Sequence, residues 1–110
     1  EVKVNVLPLR QIFADHLAKG RDIDFLSVDA EGMDLTVLCS NDWTRYRPRV
    51  VVVEETSARV LADAENLEVA QFMKKQGYEA FARSPSGLFF IDTRSPVYNG
   101  GCYLQFPANN

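Results

Sequence analysis

The sequence predicts an α/β fold: a three-layer domain whose mostly parallel sheet closes with an antiparallel hairpin. Three observations lead to this prediction. Strand-like and helix-like apolar patterns alternate along the chain with short connections, which is typical of sheets covered by helices. Residues 50–53 are four consecutive valines, as in a strand that is buried on both faces. Residues 84–87, Ser-Pro-Ser-Gly, separate two strand-like runs, as in a hairpin.

The first predicted elements are a short strand and an amphipathic helix. Valines alternate with polar residues over residues 2–6, which favours a strand. Pro8 suits the first turn of a helix, and Gly20 suits its end. The helix between them has one apolar face, made of Leu9, Ile12, Phe13 and Leu17.

The middle of the chain predicts two more strands with a helix between them. Residues 23–28 have a strand pattern with little polar alternation, and residues 33–38 have a helical one; the valine strand follows. Trp43 lies just beyond the helix, and we interpret it as packing against the helix end rather than stacking on a substrate. Three arginines, which we expect on a solvated face, come next: Arg45, Arg47 and Arg49.

A final helix and the hairpin complete the predicted fold. Asn66 is a candidate N-cap, and Gly77 is a candidate stop. The apolar stripe of this helix consists of Val69, Phe72 and Met73. Residues 78–83 and 88–91 form the hairpin, and we expect the second of these strands to lie between the first and the valine strand.

Composition narrows the possible functions. We expect a single partial domain over residues 1–110, with a core at residues 2–92 and a tail at residues 93–110. A net charge of −3 gives no general attraction to nucleic acid or to an anionic membrane. No apolar run approaches the roughly 18 residues that a membrane span needs, and two cysteines with one histidine do not form a zinc site. The chain starts inside a strand-like alternation without an initiator Met, so we expect a piece of a longer protein. Its two cysteines make no disulfide framework, which is compatible with the reducing cytoplasm where we expect this protein.

Acidic residues follow two of the predicted strands. Asp29 and Glu31 come after residues 23–28, and Glu54 and Glu55 come after the valines. Ligands of open α/β sheets bind at the carboxyl ends of the strands, so four carboxylates could meet in one crevice. Such a group could bind a hard cation, accept hydrogen bonds from a polyol, or take a proton from a hydroxyl. The alternative is a tight strand-to-helix turn whose acids only face a helix N-terminus.

Three segments of the chain form one joint pattern. Residues 23–38, IDFLSVDAEGMDLTVL, combine a strand, an Asp-x-Glu-Gly turn and a helix. Trp43, the Arg-Pro pair at residues 47–48 and the VVVVE run at residues 50–54 follow, and Gly77 and Tyr78 precede the hairpin. This joint pattern resembles the signature of the FkbM family of S-adenosylmethionine-dependent methyltransferases, and the resemblance covers about residues 2–92.

The resemblance implies a class I methyltransferase, Rossmann-like fold in which S-adenosylmethionine donates a methyl group to a hydroxyl of a sugar or a polyketide-like small molecule. By position, it implies catalytic roles for Asp29, Glu31 and Glu54. It implies cofactor contacts at Asp29 and Ala30; no residue is assigned as a metal ligand. Asp29 would face the acceptor hydroxyl or the methionine end of the cofactor, with Glu31 and Glu54 in support.

One departure from the family pattern affects the expected activity. The glycine-rich loop after the family's first strand, and the acidic residue that holds the ribose, have no counterpart in these 110 residues. We therefore expect the C-terminal, acceptor-side part of a methyltransferase, inactive as an isolated chain. The alternative function is a non-catalytic α/β interaction domain or a domain that binds a divalent cation.

The same departure predicts an open sheet edge. In a complete methyltransferase sheet, the strand at residues 23–28 pairs with the family's first strand, which has no counterpart here. An unpaired edge invites another strand. The candidates are residues 2–6, residues 103–106, or the same edge of a second copy, and we favour a homodimer.

Overall fold

The computed structural model describes residues 2–55, 64 and 66–95. These residues form three helices and four strands. In chain order they are α1 (Leu9–His16), β1 (Phe25–Val28), α2 (Asp34–Cys39), β2 (Val50–Glu54), α3 (Glu68–Lys75), β3 (Tyr78–Arg83) and β4 (Gly87–Asp92). No helix among them is long and apolar enough to span a bilayer.

The four strands form one mixed sheet in the order β1-β2-β4-β3. β1 runs parallel to β2, whereas β4 is antiparallel to both β2 and β3. The α/β class, the neighbouring parallel strands and the position of the closing hairpin are thereby confirmed. The described strands do not form the mostly parallel sheet that we expected. The tight turn at residues 84–87 reverses the chain between β3 and β4, and β4 lies between β2 and β3, so two of the three pairings are antiparallel.

The N-terminal segment differs most from its prediction. Residues 2–6 form no strand, and their valines are 76–90% exposed. An alternating pattern gives a strand only where a neighbouring strand takes up its backbone hydrogen bonds, and no described strand does so here. α1 starts after Pro8 as predicted, but it buries none of its residues.

β1 is an edge strand of the described sheet, as predicted. Phe25 is 56% exposed, and no described strand pairs on the outer side of β1. Residues 2–6 therefore do not cover the edge within the chain. Residues 103–106 lie outside the described residues, and the homodimer stays a prediction.

The core lies where α2 and α3 pack on the central strands. Its fully buried side chains include Leu38, Val51, Met73, Tyr78 and Phe90. Trp43 packs edge-on against Tyr78, with ring centroids 5.3 Å apart, and its indole N–H donates to the Leu38 carbonyl at 2.8 Å. The interpretation of Trp43 as a packing residue is confirmed.

Arg47 does not lie on the solvated face that we expected. Its guanidinium donates to both carboxylate oxygens of Asp92, at 2.7 and 3.2 Å, and to the Trp43 carbonyl at 2.9 Å. It also lies 4.9 Å from the centroid of the Tyr78 ring. The pair is largely buried, with side-chain exposures of 15% and 7%. Arg47 was misassigned because its partner lies 45 positions away in the sequence.

The predicted ends of α3 lie close to the observed ones. The N-cap of α3 is Leu67 rather than Asn66, and Lys74 and Lys75 lie in its last turn. Gly77 follows with a φ of 87°, a conformation that glycine adopts without strain. A Cβ at this position would lie 3.1 Å from a nitrogen of the Arg47 guanidinium.

Candidate functional site

The register of β1 and β2 brings their carboxyl ends to the same point of the sheet. Val28 pairs with Val53, so the chain leaves the two strands side by side, at Asp29 and Glu54. Both acidic residues are exposed. The prediction that these strand ends are neighbours is confirmed.

A strained turn follows β1. The Met33 N–H donates to the Ala30 carbonyl at 3.0 Å, and the two residues between them have positive φ: 50° at Glu31 and 88° at Gly32. Gly32 adopts this conformation freely, but a left-handed glutamate is uncommon. Backbone strain of this kind is concentrated at functional sites.

The turn and the strand ends place three carboxylates together. One carboxylate oxygen each from Asp29, Glu31 and Glu54 lies within 4.8 Å of the other two, and all three residues are exposed. We call these three residues the acidic cluster. It contains all three catalytic residues that the sequence predicted, while their catalytic roles stay predictions.

The acidic cluster changes the protonation of Glu54. A side-chain hydrogen bond with Asp29, followed by the negative charge of Asp29, raises the pKa of Glu54 from 4.5 to about 6. Loss of solvation at the carboxyl group and the charges of Glu31 and Asp34 act in the same direction. Two carboxyl groups can share a hydrogen bond only while one holds a proton, so Glu54 donates to Asp29 in the protonated state.

Asp34 is a residue of this site to which the sequence analysis gave no role. Its side chain is buried, and its oxygens accept hydrogen bonds from the Ala30 N–H at 2.8 Å and from the Glu54 N–H at 3.0 Å. The sequence shows only an acid at the start of a helix, which is common for reasons of the helix dipole alone. Its partners depend on the pairing of β1 with β2, which a local pattern does not contain.

Glu55 is not part of the acidic cluster. Its N–H donates to the Ser86 carbonyl at 2.9 Å, so its backbone continues beyond β2 along the hairpin turn. The expected crevice of four carboxylates is thus a cluster of three, with Glu55 in the cleft beside it. Arg59, which the sequence offered as a partner for an anionic group, lies outside the described residues.

A cleft of about 330 Å³ lies at the same end of the sheet and shares Glu54 with the acidic cluster. It runs between the turn after β1, the end of β2 and the start of α3. Its apolar lining includes Leu35, Val53, Leu67 and Val69. Its acidic lining consists of Asp34, Glu54, Glu55 and Glu68, with no basic residue among the described ones.

The chemistry of the cluster suits two kinds of cationic ligand. Carboxylate oxygens at this spacing are the ligand type of a hard divalent cation. They also suit an organic cation such as a sulfonium or an ammonium group. Of the two predicted cofactor residues, Asp29 has its carboxylate in the cluster, whereas the N–H of Ala30 already binds Asp34.

Comparison with known proteins gives one match. The family model of the methyltransferase FkbM domain matches residues 1–80, which include the acidic cluster and Asp34 and end within β3. No curated protein and no solved structure matches the chain.

Proposed function

Because the chain belongs to the FkbM methyltransferase domain family, we propose that it forms the acceptor side of an S-adenosylmethionine-dependent O-methyltransferase. The observation that supports this proposal is the acidic cluster at the ends of β1 and β2. Membership of this family indicates methyl transfer. The acidic cluster, in which the pKa of the Glu54 carboxyl is raised to about 6, supplies a group that can take up a hydroxyl proton. The complete domain would have the three-layer, Rossmann-like arrangement of class I methyltransferases.

The proposed chemistry assigns a task to each carboxylate. S-adenosylmethionine, when bound, supplies an electrophilic methyl group on a positively charged sulfur. The carboxylate of Asp29 would orient the acceptor hydroxyl and accept its proton as the oxygen–methyl bond forms and the methyl–sulfur bond breaks. Glu54 in its ionised form would then accept a hydrogen bond from the protonated Asp29, so that the pair holds the proton. Glu31 would add negative charge that favours binding of the cationic cofactor.

The charge of the cleft narrows the acceptor class. Four acidic residues and no described basic residue line it, so a phosphorylated or carboxylated acceptor would be repelled. Residues 56–63, which follow the cleft-lining Glu55, contain one arginine and one aspartate and add no net charge. The apolar lining suits the carbon skeleton of the acceptor. We therefore propose a neutral or amino-bearing hydroxyl compound, such as a sugar or a polyketide-like molecule.

Binding of S-adenosylmethionine needs a glycine-rich turn in addition to the acidic cluster. A glycine-rich turn brings backbone N–H groups and a helix N-terminus to a cofactor of this kind, and the sequence contains no such turn after a strand. We propose that residues outside these 110 supply it, and that the complete enzyme works in the cytoplasm. Calorimetric titration of the 110-residue chain with S-adenosylmethionine should then show weak binding or none, whereas micromolar affinity would contradict this division of the site.

The function is tested by methyl transfer. The enzyme is the longest natural polypeptide that contains these 110 residues, and a radiolabelled methyl group is followed from S-adenosylmethionine to a neutral sugar, an amino sugar and a sugar phosphate. We expect transfer to the first two and little to the phosphate. Asp29→Asn should lower kcat by about 10²-fold or more, the scale of a lost general base.

The control for this test is Asp24→Asn. Asp24 precedes β1 at the opposite end of the strand, and its side chain is 80% exposed in an ion pair with Arg49. This variant should retain full transfer. Equal activity of the two variants would remove Asp29 from the mechanism, and no transfer to any hydroxyl compound would refute the proposed function.

A divalent-cation-binding domain without catalytic activity is the second candidate, because three carboxylate oxygens within 4.8 Å of one another could hold such an ion. Under this alternative, Mg²⁺ or Ca²⁺ at millimolar concentration should raise the thermal midpoint of the wild type and not that of Glu54→Gln. A midpoint that does not change with either ion would leave the methyltransferase as the proposal.

A further inference from the structure

A single buried side chain connects the two strand ends that carry the acidic cluster. Asp34 is 8% exposed, and each of its two carboxylate oxygens accepts one hydrogen bond from a backbone N–H group. Oδ1 accepts from Ala30, which follows β1, and Oδ2 accepts from Glu54, the last residue of β2. The backbones of these strands also pair in the parallel ladder, whose last registered pair is Val28 with Val53.

The two N–H groups adjoin all three members of the acidic cluster. Ala30 lies between Asp29 and Glu31 in the chain, and the second N–H belongs to Glu54 itself. Hydrogen bonds to an ionised carboxylate are shorter and stronger than neutral ones. Asp34 therefore fixes the backbone from which each cluster carboxylate projects, and with it the separation of the carboxyl groups.

The bond to Ala30 also holds the start of the strained turn. Ala30 is the first residue of the turn that contains Glu31 at a φ of 50°. A non-glycine residue persists in this region only when its surroundings over-determine it. The contact with Asp34 on one side and the bond from Met33 to the Ala30 carbonyl on the other provide that determination.

We propose that Asp34 is the positioning residue of the methyl-transfer site, acting through Asp29 and Glu54 by holding their backbones in register. This inference rests on the proposed function for its catalytic meaning, but the geometry can be tested without catalysis. Both oxygens must be acceptors, since each faces an N–H donor. Asn has one acceptor oxygen and an NH₂ group that would face the second donor.

The test follows the Glu54 carboxyl by ¹³C NMR as a function of pH in the 110-residue chain. In the wild type it should titrate with a pKa of about 6, because of its hydrogen bond with Asp29. In Asp34→Asn the strand ends separate and the bond with Asp29, the largest cause of the raised pKa, weakens, so the pKa should fall towards 4.5. The lost charge of Asp34 is the smallest cause and lowers the pKa only slightly, so a slight fall alone would also contradict the proposal. A Glu54 pKa that stays near 6 in this variant would overturn the proposal.

Tyr78→Phe is the matched structural control. It removes another hydrogen bond from a buried side chain to the backbone, from the Tyr78 hydroxyl to the Pro48 carbonyl at 2.6 Å, far from the acidic cluster in the fold. It should lower stability and leave the Glu54 titration unchanged. If it lowers the Glu54 pKa as much as Asp34→Asn does, Asp34 acts through general stability and the proposal fails.

A measurement on the wild type covers the case in which Asp34→Asn does not fold. The amide protons of Ala30 and Glu54 should both exchange slowly with deuterium in the solvent, because both N–H groups donate to Asp34. Exchange of either amide as fast as that of an exposed amide would overturn the proposal. In the longest natural polypeptide, Asp34→Asn should lower kcat at least tenfold with little change in KM. An absence of transfer even in the wild type would refute the proposed function, while the titration would still decide the role of Asp34.

Discussion

Charged side chains have opposite surroundings in two regions of the molecule, the core around Trp43 and the acidic cluster. In the core, opposite charges and hydrogen-bonding groups meet in pairs: Arg47 meets Asp92, and the Tyr78 hydroxyl meets the Pro48 carbonyl. At the strand ends, three like charges lie within 4.8 Å of one another, and one of them, Glu31, has a left-handed backbone. The core arrangement stabilises the fold, whereas the cluster costs stability, and such costs are typical of sites kept for function.

The largest expected effect on fold stability comes from removing the charge that pairs with Arg47 in the core. Asp92→Asn leaves the Arg47 guanidinium largely buried without its counter-charge and should destabilise the fold by about 3 kcal/mol. Urea unfolding followed by the fluorescence of Trp43, the single tryptophan, measures this. The same substitution in the exposed pair, Asp24→Asn, should cost less than about 0.5 kcal/mol. Similar losses in both variants would contradict the contrast between core and surface.

The next effect tests the strain at the cluster. Glu31→Gly relieves the left-handed glutamate and removes one negative charge, so it should stabilise the fold by about 0.5 kcal/mol, after the entropic cost of a new glycine. Gly32→Ala provides the opposite case, because nothing lies within 4 Å of the added Cβ and the φ is 88°. It should destabilise by about 1 kcal/mol through backbone conformation alone. A destabilised Glu31→Gly would mean that Glu31 has a structural role.

The smallest effect is the pH dependence that Glu54 contributes. Its pKa is raised from 4.5 in the unfolded chain to about 6, so the folded state binds the proton more tightly. The contribution of Glu54 to the free energy of unfolding is therefore fully present below about pH 4.5 and is lost as the pH rises through 6. Glu54→Gln should remove this part of the slope. Identical pH profiles for wild type and variant would contradict the shared proton with Asp29.

The parts of this molecule that sequence reasoning could predict are those set by local patterns. The valine strand, the hairpin turn and the acids that follow each strand are visible within a few residues, and the parallel pairing of β1 and β2 then places Asp29 beside Glu54. The partners of Arg47 and of Asp34 lie up to 45 positions away, so no local pattern contains them. Residues 2–6 have the pattern of a strand without a described neighbour, and a pattern alone supplies no hydrogen-bond partners.

The central claim is that the carboxylates at the ends of β1 and β2 act as one group. The most direct test is the ¹³C NMR titration of the Glu54 carboxyl in the wild type and in Asp29→Asn. With the wild type at about 6, the substitution should return the pKa of Glu54 towards 4.5, because it removes the charge of Asp29 and replaces the carboxylate by a neutral, weaker acceptor. A Glu54 carboxyl that titrates near 4.5 in both proteins, or near 6 in both, would contradict the claim.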